Sequence, residues 1–158
     1  MLAWPWQRYW PTMSRFSNEV HALLVRAGWH DGRHALSKVN LPQGFAFHER
    51  ALKILAEFGN LEIGDARPRK GLVAAKSTIC LKPSLALGEA QRFLHFSKAL
   101  GVHLCPLGEL DDGRFFLAID ERERVYVLEL DICLAGDTFD SALETLLLGD
   151  RLIAVELK

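Results

Sequence analysis

Apolar residues recur at helical spacing in four stretches of this chain and alternate in shorter runs between them. Phe16, Val20, Leu23, Leu24 and Ala27 fall at i, i+4, i+7, i+8 and i+11, which places them on one helical face. Ser14 is positioned to cap that helix and Gly28 to stop it. A second helix is predicted near Phe45–Phe58, with Phe47, Ala51, Leu52, Ile54, Leu55 and Phe58 inward and Gly59 at its end. A third runs from about Leu87 to Leu100, with Ala90, Phe93, Leu94, Ser97 and Leu100 on one side and Gly101 closing it. The fourth follows Asp137, the expected cap, with Asp140 in the favourable first turn and Gly149 as the stop. Its buried face is Phe139, Ala142, Leu143, Leu146 and Leu147.

Between the helices the spacing is that of strands. Leu61–Ile63, Leu72–Ala74 and Thr78–Leu81 are short candidates, with Pro83 stopping the last. Residues 34–44 are expected to be loop with one short strand. His103–Cys105 is predicted as a strand ended by Pro106, and Asp111-Asp112-Gly113 is a turn. Arg114–Ile119 and Arg124–Leu128 are the strongest strands, joined through Asp120-Glu121-Arg122-Glu123 into a hairpin. Leu152–Leu157 is a candidate edge strand. Helices in front, a mostly antiparallel sheet behind and a closing helix argue an α+β fold, with the sheet packed against helices.

Residues 14–158 fit a single domain, and 158 residues suffice to bury a real core. Residues 1–13 differ in character: Trp4, Trp6 and Trp10 fall here with two prolines and no periodic pattern. Either the native start is Met13, or these residues form an aromatic arm that docks on the domain. Peptides covering Trp4 to Trp10 from the native host would exclude the first alternative. The N-terminus lacks the layout of a secretion signal, and no apolar run approaches the ~20 residues of a membrane span. Cys80, Cys105 and Cys133 are odd in number and far apart, which fits reduced thiols and a cytoplasmic protein.

Charge changes the picture more than composition does. Residues 1–104 carry 14 Lys/Arg against 7 Asp/Glu, and residues 105–158 carry 5 against 13, for a net charge of −1. Such a chain presents an acidic face to basic partners if the halves stay apart in space. If they interleave, the charges cancel locally.

The search for catalytic chemistry returns little. The Cys and His residues show no C-x-x-C or helical H-x-x-x-H spacing; His103 and Cys105 point to one side of a strand, short of a zinc ligand set. No G-x-S-x-G elbow and no phosphate-binding glycine loop occurs. A Cys105/His103 nucleophile needs an exposed, electropositive setting, whereas Leu104 and Leu107 argue burial. Glu109, Asp111 and Asp112 could converge for proton transfer, but a solvated acidic turn is the commoner outcome. Arg67, Arg69, Lys70 and Lys76 form a basic loop, without a recognition helix or aromatic-basic strand to make a nucleic-acid site. Trp29 is expected to fold back over the first helix rather than anchor a partner, with Arg33 pairing a carboxylate.

Several of these residues belong together. Phe16…Val20…Leu23…Ala27-Gly28-Trp29…Gly32-Arg33, His48…Ala51-Leu52…Leu55…Glu57-Phe58-Gly59…Leu61, Pro83, Pro106-Leu107-Gly108-Glu109, Leu117-Ala118-Ile119-Asp120, Val125-Tyr126 and Gly136-Asp137-Thr138-Phe139…Ala142-Leu143…Leu146-Leu147…Gly149 occur in this order. Over about residues 14–149 the pattern resembles the third subgroup of the SUKH superfamily. Those are bacterial immunity proteins of polymorphic toxin systems, related in fold to the yeast cell-wall-assembly regulator. The family often has Gly at the position of Glu123, so its absence here suggests a different turn type.

The resemblance implies a SUKH-like α+β domain that binds and neutralises a cognate toxin, typically a nuclease or deaminase, by stoichiometric contact. It implies no enzyme activity, no cofactor and no metal. The partner is a toxin protein rather than nucleic acid or membrane, with the oligomeric state open. The acidic C-terminal half would suit a basic toxin. The expected contact residues are Glu109, Asp111, Asp112, Asp120, Glu121 and Glu123. A non-toxin protein-binding scaffold of the same fold is the alternative, and a small enzyme using the Cys105/His103 pair is a third.

Overall fold

The computed structural model describes residues 14–64 and 77–157. The expected aromatic arm, the Leu72–Ala74 strand and the basic loop of Arg67, Arg69, Lys70 and Lys76 lie outside them. The described helices are α1 (Asn18–Ala27), α2 (Glu49–Phe58), α3 (Ala90–Leu100) and α4 (Phe139–Leu148). The strands are β1 (Glu62–Ile63), β2 (Ile79–Cys80), β3 (Cys105–Leu110), β4 (Phe115–Ile119), β5 (Val125–Leu128), β6 (Ile132–Gly136) and β7 (Ile153–Ala154). They form one antiparallel sheet whose strand order is the chain order, an α+β meander.

Strand alternation explains where the helices go. Leu117 and Ile119 of β4 and Val125 and Val127 of β5 face the core built with α1, α2 and α4. Ala118, Tyr126 and Leu128 face the opposite side, where they join Phe93 and Phe96 of α3. Every residue of β5 is buried because both faces of the sheet are covered.

Local signals decide the boundaries. The cap of α1 is Ser17, whose hydroxyl accepts the Val20 N–H, whereas the Ser14 hydroxyl donates to the Phe16 carbonyl. Phe16 packs edge-on against both Trp29 and Phe58, and this placement occupies the turn before the helix. Helix α2 begins at Glu49, later than predicted. Phe45 serves the α3 core and Phe47 the other, so the chain passes between two cores before His48 starts the helix. Residues 34–44 contain a short 3₁₀ turn, Leu36–Lys38, rather than a strand. Thr138, not Asp137, caps α4, in a reciprocal capping box with Ser141.

Two further expectations change. Pro106 does not end a strand; it pairs with Ala118 inside β3, next to a bulge before Gly108. Strand β2 pairs with β3 only at Glu109 and Leu110, so beside Pro106 the neighbour is the 3₁₀ turn Pro83–Ala86, and no ladder bond there needs the missing N–H. Strand β6 lies where the sequence pattern marks no strand. Its turn is Glu129-Leu130-Asp131, and a leucine at a turn tip masks the boundary that polar residues would mark.

Candidate functional site

The two acidic turns lie at opposite ends of β4. That strand has five residues, so about 17 Å separates them at ~3.4 Å per residue. The six predicted contact residues therefore do not form one patch.

At the β4–β5 end, Asp120 is fully buried, at 0% exposure. Its Oδ1 accepts the N–H groups of Arg122 and Arg124 at 2.8 and 3.0 Å, and its Oδ2 accepts the Tyr126 hydroxyl at 3.0 Å. Asp120 is thus the support of the hairpin and not a surface contact, which corrects the expectation. Burial and the Asp120 carboxylate push the Tyr126 phenol up to about 12, so it stays a donor. Glu123 sits at φ 72°, the left-handed conformation that glycine favours. The turn therefore keeps the backbone shape a glycine would give it, contrary to the expected change of type. The Asp120 carbonyl holds it by accepting the Glu123 N–H at 3.1 Å.

The rest of this turn is electrostatically mixed. Glu123 pairs with Arg50 at 3.6 Å, and Glu121 accepts the His103 N–H at 2.7 Å. Partial burial opposes ionisation of Glu121, but that hydrogen bond, with help from His48 and His103, leaves its carboxyl below the usual range. Arg122 and Arg124 lie in the same loop.

The β3–β4 end is different. Glu109 belongs to β3, opposite Phe116 and beside Cys80. Asp111 is tied to the neighbouring strand: its Oδ1 accepts the Thr78 N–H at 3.1 Å and its own N–H donates to the Thr78 carbonyl at 3.0 Å. Asp111 and Asp112 both take left-handed backbone, φ 51° and 57°, which turns the chain tightly and leaves Asp112 exposed. The unpredicted β5–β6 turn brings exposed Glu129 and Asp131 to the same end. Among the described residues these two turns carry Asp111, Asp112, Glu129 and Asp131, with Glu109 near the end of β3 and Arg114 as the cation among them.

The candidate nucleophile is where the sequence placed it but is chemically quiet. Cys105 Sγ lies 3.9 Å from His103 Nε2 and 3.5 Å from the Ala46 carbonyl. It is fully buried, and burial pushes its thiol up to about 11. His48 caps α2 by accepting the Ala51 N–H on Nδ1 at 3.1 Å, which leaves Nε2–H to donate toward the His103 and Ile119 carbonyls. Among the described residues no group of three His, Cys, Asp or Glu is placed to hold a metal ion, and no helix is long and apolar enough to cross a membrane.

The motif residues build the frame that presents these turns. Trp29 is buried as expected, stacked parallel to Phe58, and its indole N–H donates to Glu57 at 2.9 Å. Arg33 pairs with carbonyls rather than a carboxylate, donating to Glu57 O and Gly59 O at 2.7 and 2.8 Å. Those two residues end α2, so the Gly-Trp…Gly-Arg stretch fastens the end of α1 to the end of α2. A Cβ on Gly108 would collide with the Cys80 carbonyl, and one on Gly136 with Ser141 and the Ala142 backbone. Close approach of backbones demands glycine at both places.

The family comparison covers this whole frame. The model of the SUKH-3 immunity protein family matches residues 16–149, from the aromatic residue before α1 to the glycine that closes α4. No curated protein and no solved structure matches the chain. With its motif residues accounted for and most of its length matched, the chain belongs to the SUKH-3 immunity protein family.

Proposed function

We propose that this protein neutralises a cognate toxin of a polymorphic toxin system by stoichiometric contact in the bacterial cytoplasm, without catalysis. The toxin is of nuclease or deaminase type and presents a basic surface. The observation that carries this reading is the acidic end of the sheet, where a turn tied to Thr78 and bent by left-handed backbone exposes Asp112 at the same end as Glu129 and Asp131. Such a surface raises the encounter rate with a cationic partner and selects against acidic ones. Glu121 and Glu123 at the other end are weaker candidates, since the hydrogen bond to His103 and the ion pair with Arg50 already engage them. Asp120 supports the turn from inside.

The test is co-expression with the toxin domain encoded beside this gene, scoring growth. Rescue by the wild-type chain supports the reading. Growth arrest despite folded, abundant protein overturns it and leaves the non-toxin scaffold as the function of this fold. Asp112→Lys and Glu121→Lys then separate the two ends, and the larger loss is expected for Asp112→Lys.

A further inference from the structure

The β5–β6 turn carries a feature that the fold does not use. Leu130 stands at its tip with 88% of its surface exposed, the most of any large apolar residue described. Turn tips ordinarily take Gly, Asn, Asp or Ser, which satisfy the backbone and stay hydrated. Single exposed leucines are common and mean little. This one is not isolated. Beside it opens a recess of about 270 Å³ lined by Leu110, Phe115, Val127, Cys133 and Leu152. Glu129 and Asp131 line the same recess. The Glu129 N–H donates to the Asp131 carbonyl at 3.0 Å, which holds the tip in shape without the leucine side chain.

The geometry points to Leu130 and its recess as the apolar centre of a docking surface for a protein partner with a cationic face, an inference that rests on the toxin-binding reading above. The partner chemistry follows from complementarity. Binding hot spots are apolar anchors in desolvated pockets, ringed by polar contacts that exclude water. Here the anchor and most of the recess are apolar, and the charged residues around them are Glu129 and Asp131. A matching surface offers a socket for Leu130, an apolar side chain for the recess, and Lys or Arg around both. The neighbouring turn, with Asp111 and Asp112, then acts in steering and register more than in holding the complex together.

The probe is the catalytically inactivated toxin domain encoded beside this gene, titrated calorimetrically against the full chain at low and high salt. Leu130→Ala is expected to weaken binding at least about tenfold, with little change in melting temperature because the side chain is almost wholly exposed. Glu129→Lys with Asp131→Lys is expected to weaken it and to flatten the salt dependence. Leu87→Ala, an exposed leucine outside the recess, is the control and leaves affinity unchanged. Wild-type affinity in Leu130→Ala overturns this inference and leaves toxin binding intact. Absence of both binding and growth protection for the wild-type chain overturns the toxin-binding reading, and this inference with it.

Discussion

Asp120 shows how much one side chain can settle. It accepts three hydrogen bonds inside the β4–β5 hairpin, two of them from backbone N–H groups of the turn, and so satisfies a carboxylate that is itself fully buried. Asp120→Ala is expected to cost about 2–4 kcal/mol in urea-melt stability, and a loss below about 1 kcal/mol would contradict its structural role. Glu123 argues in the other direction. Its left-handed backbone costs a non-glycine residue about 1–2 kcal/mol, partly offset by the greater freedom of an unfolded glycine. Glu123→Gly should therefore stabilise the fold by about 0.5–1 kcal/mol despite losing the Arg50 pair, which at 3.6 Å and partly exposed is worth little. Cys105, with its thiol near 11, should have only about one thiolate in a thousand at pH 8. Labelling by iodoacetamide should then require unfolding, and Cys105→Ala should still protect against the toxin. Residue identity was legible here, but burial was not. An aspartate opening a turn bonds to backbone two residues on as readily as it faces water, and only the position of Tyr126 decides between them.

At the scale of elements, helices were readable and strand edges less so. Gly28, Gly101 and Gly149 all end helices in left-handed backbone, and the apolar faces of α1, α2 and α4 meet in one core as their spacing required. The caps shifted by one residue at α4 and three at α1 because Thr138 and Ser17 have the geometry that Asp137 and Ser14 lack. Pro106 misled because its cost depends on whether another strand lies beside it, which depends on where β2 stops. Gly108 explains the Pro-Leu-Gly-Glu stretch better: its missing side chain lets β3 pass against the Cys80 carbonyl. Gly108→Ala should cost about 2–3 kcal/mol or abolish accumulation of folded protein, read by circular dichroism and denaturant midpoint. A near-wild-type midpoint would mean that β2 can move aside.

Across the whole molecule the charge halves partly interleave. Asp140 and Glu144 belong to the acidic half, yet Arg15 grips Asp140 at 2.6 and 2.9 Å together with Glu57, and Ser17 donates to Glu144. Those contacts hold the Arg15 guanidinium well above its ordinary range and join α1, α2 and α4. Among the described acidic residues that stay exposed, Asp112, Glu129 and Asp131 share one end of the sheet, at the β3–β4 and β5–β6 turns. No sequence argument could select that end without β6, whose turn supplies Glu129 and Asp131. The most direct measurement is therefore the dissociation constant of the complex with the adjacent toxin domain, compared for wild type, Asp112→Lys and Glu121→Lys at two salt concentrations. The account predicts that Asp112→Lys loses most affinity at low salt and that the loss shrinks at high salt, with Glu121→Lys close to wild type. Equal affinity for wild type and Asp112→Lys, with a loss in Glu121→Lys, would place the toxin at the other end of the sheet and contradict it.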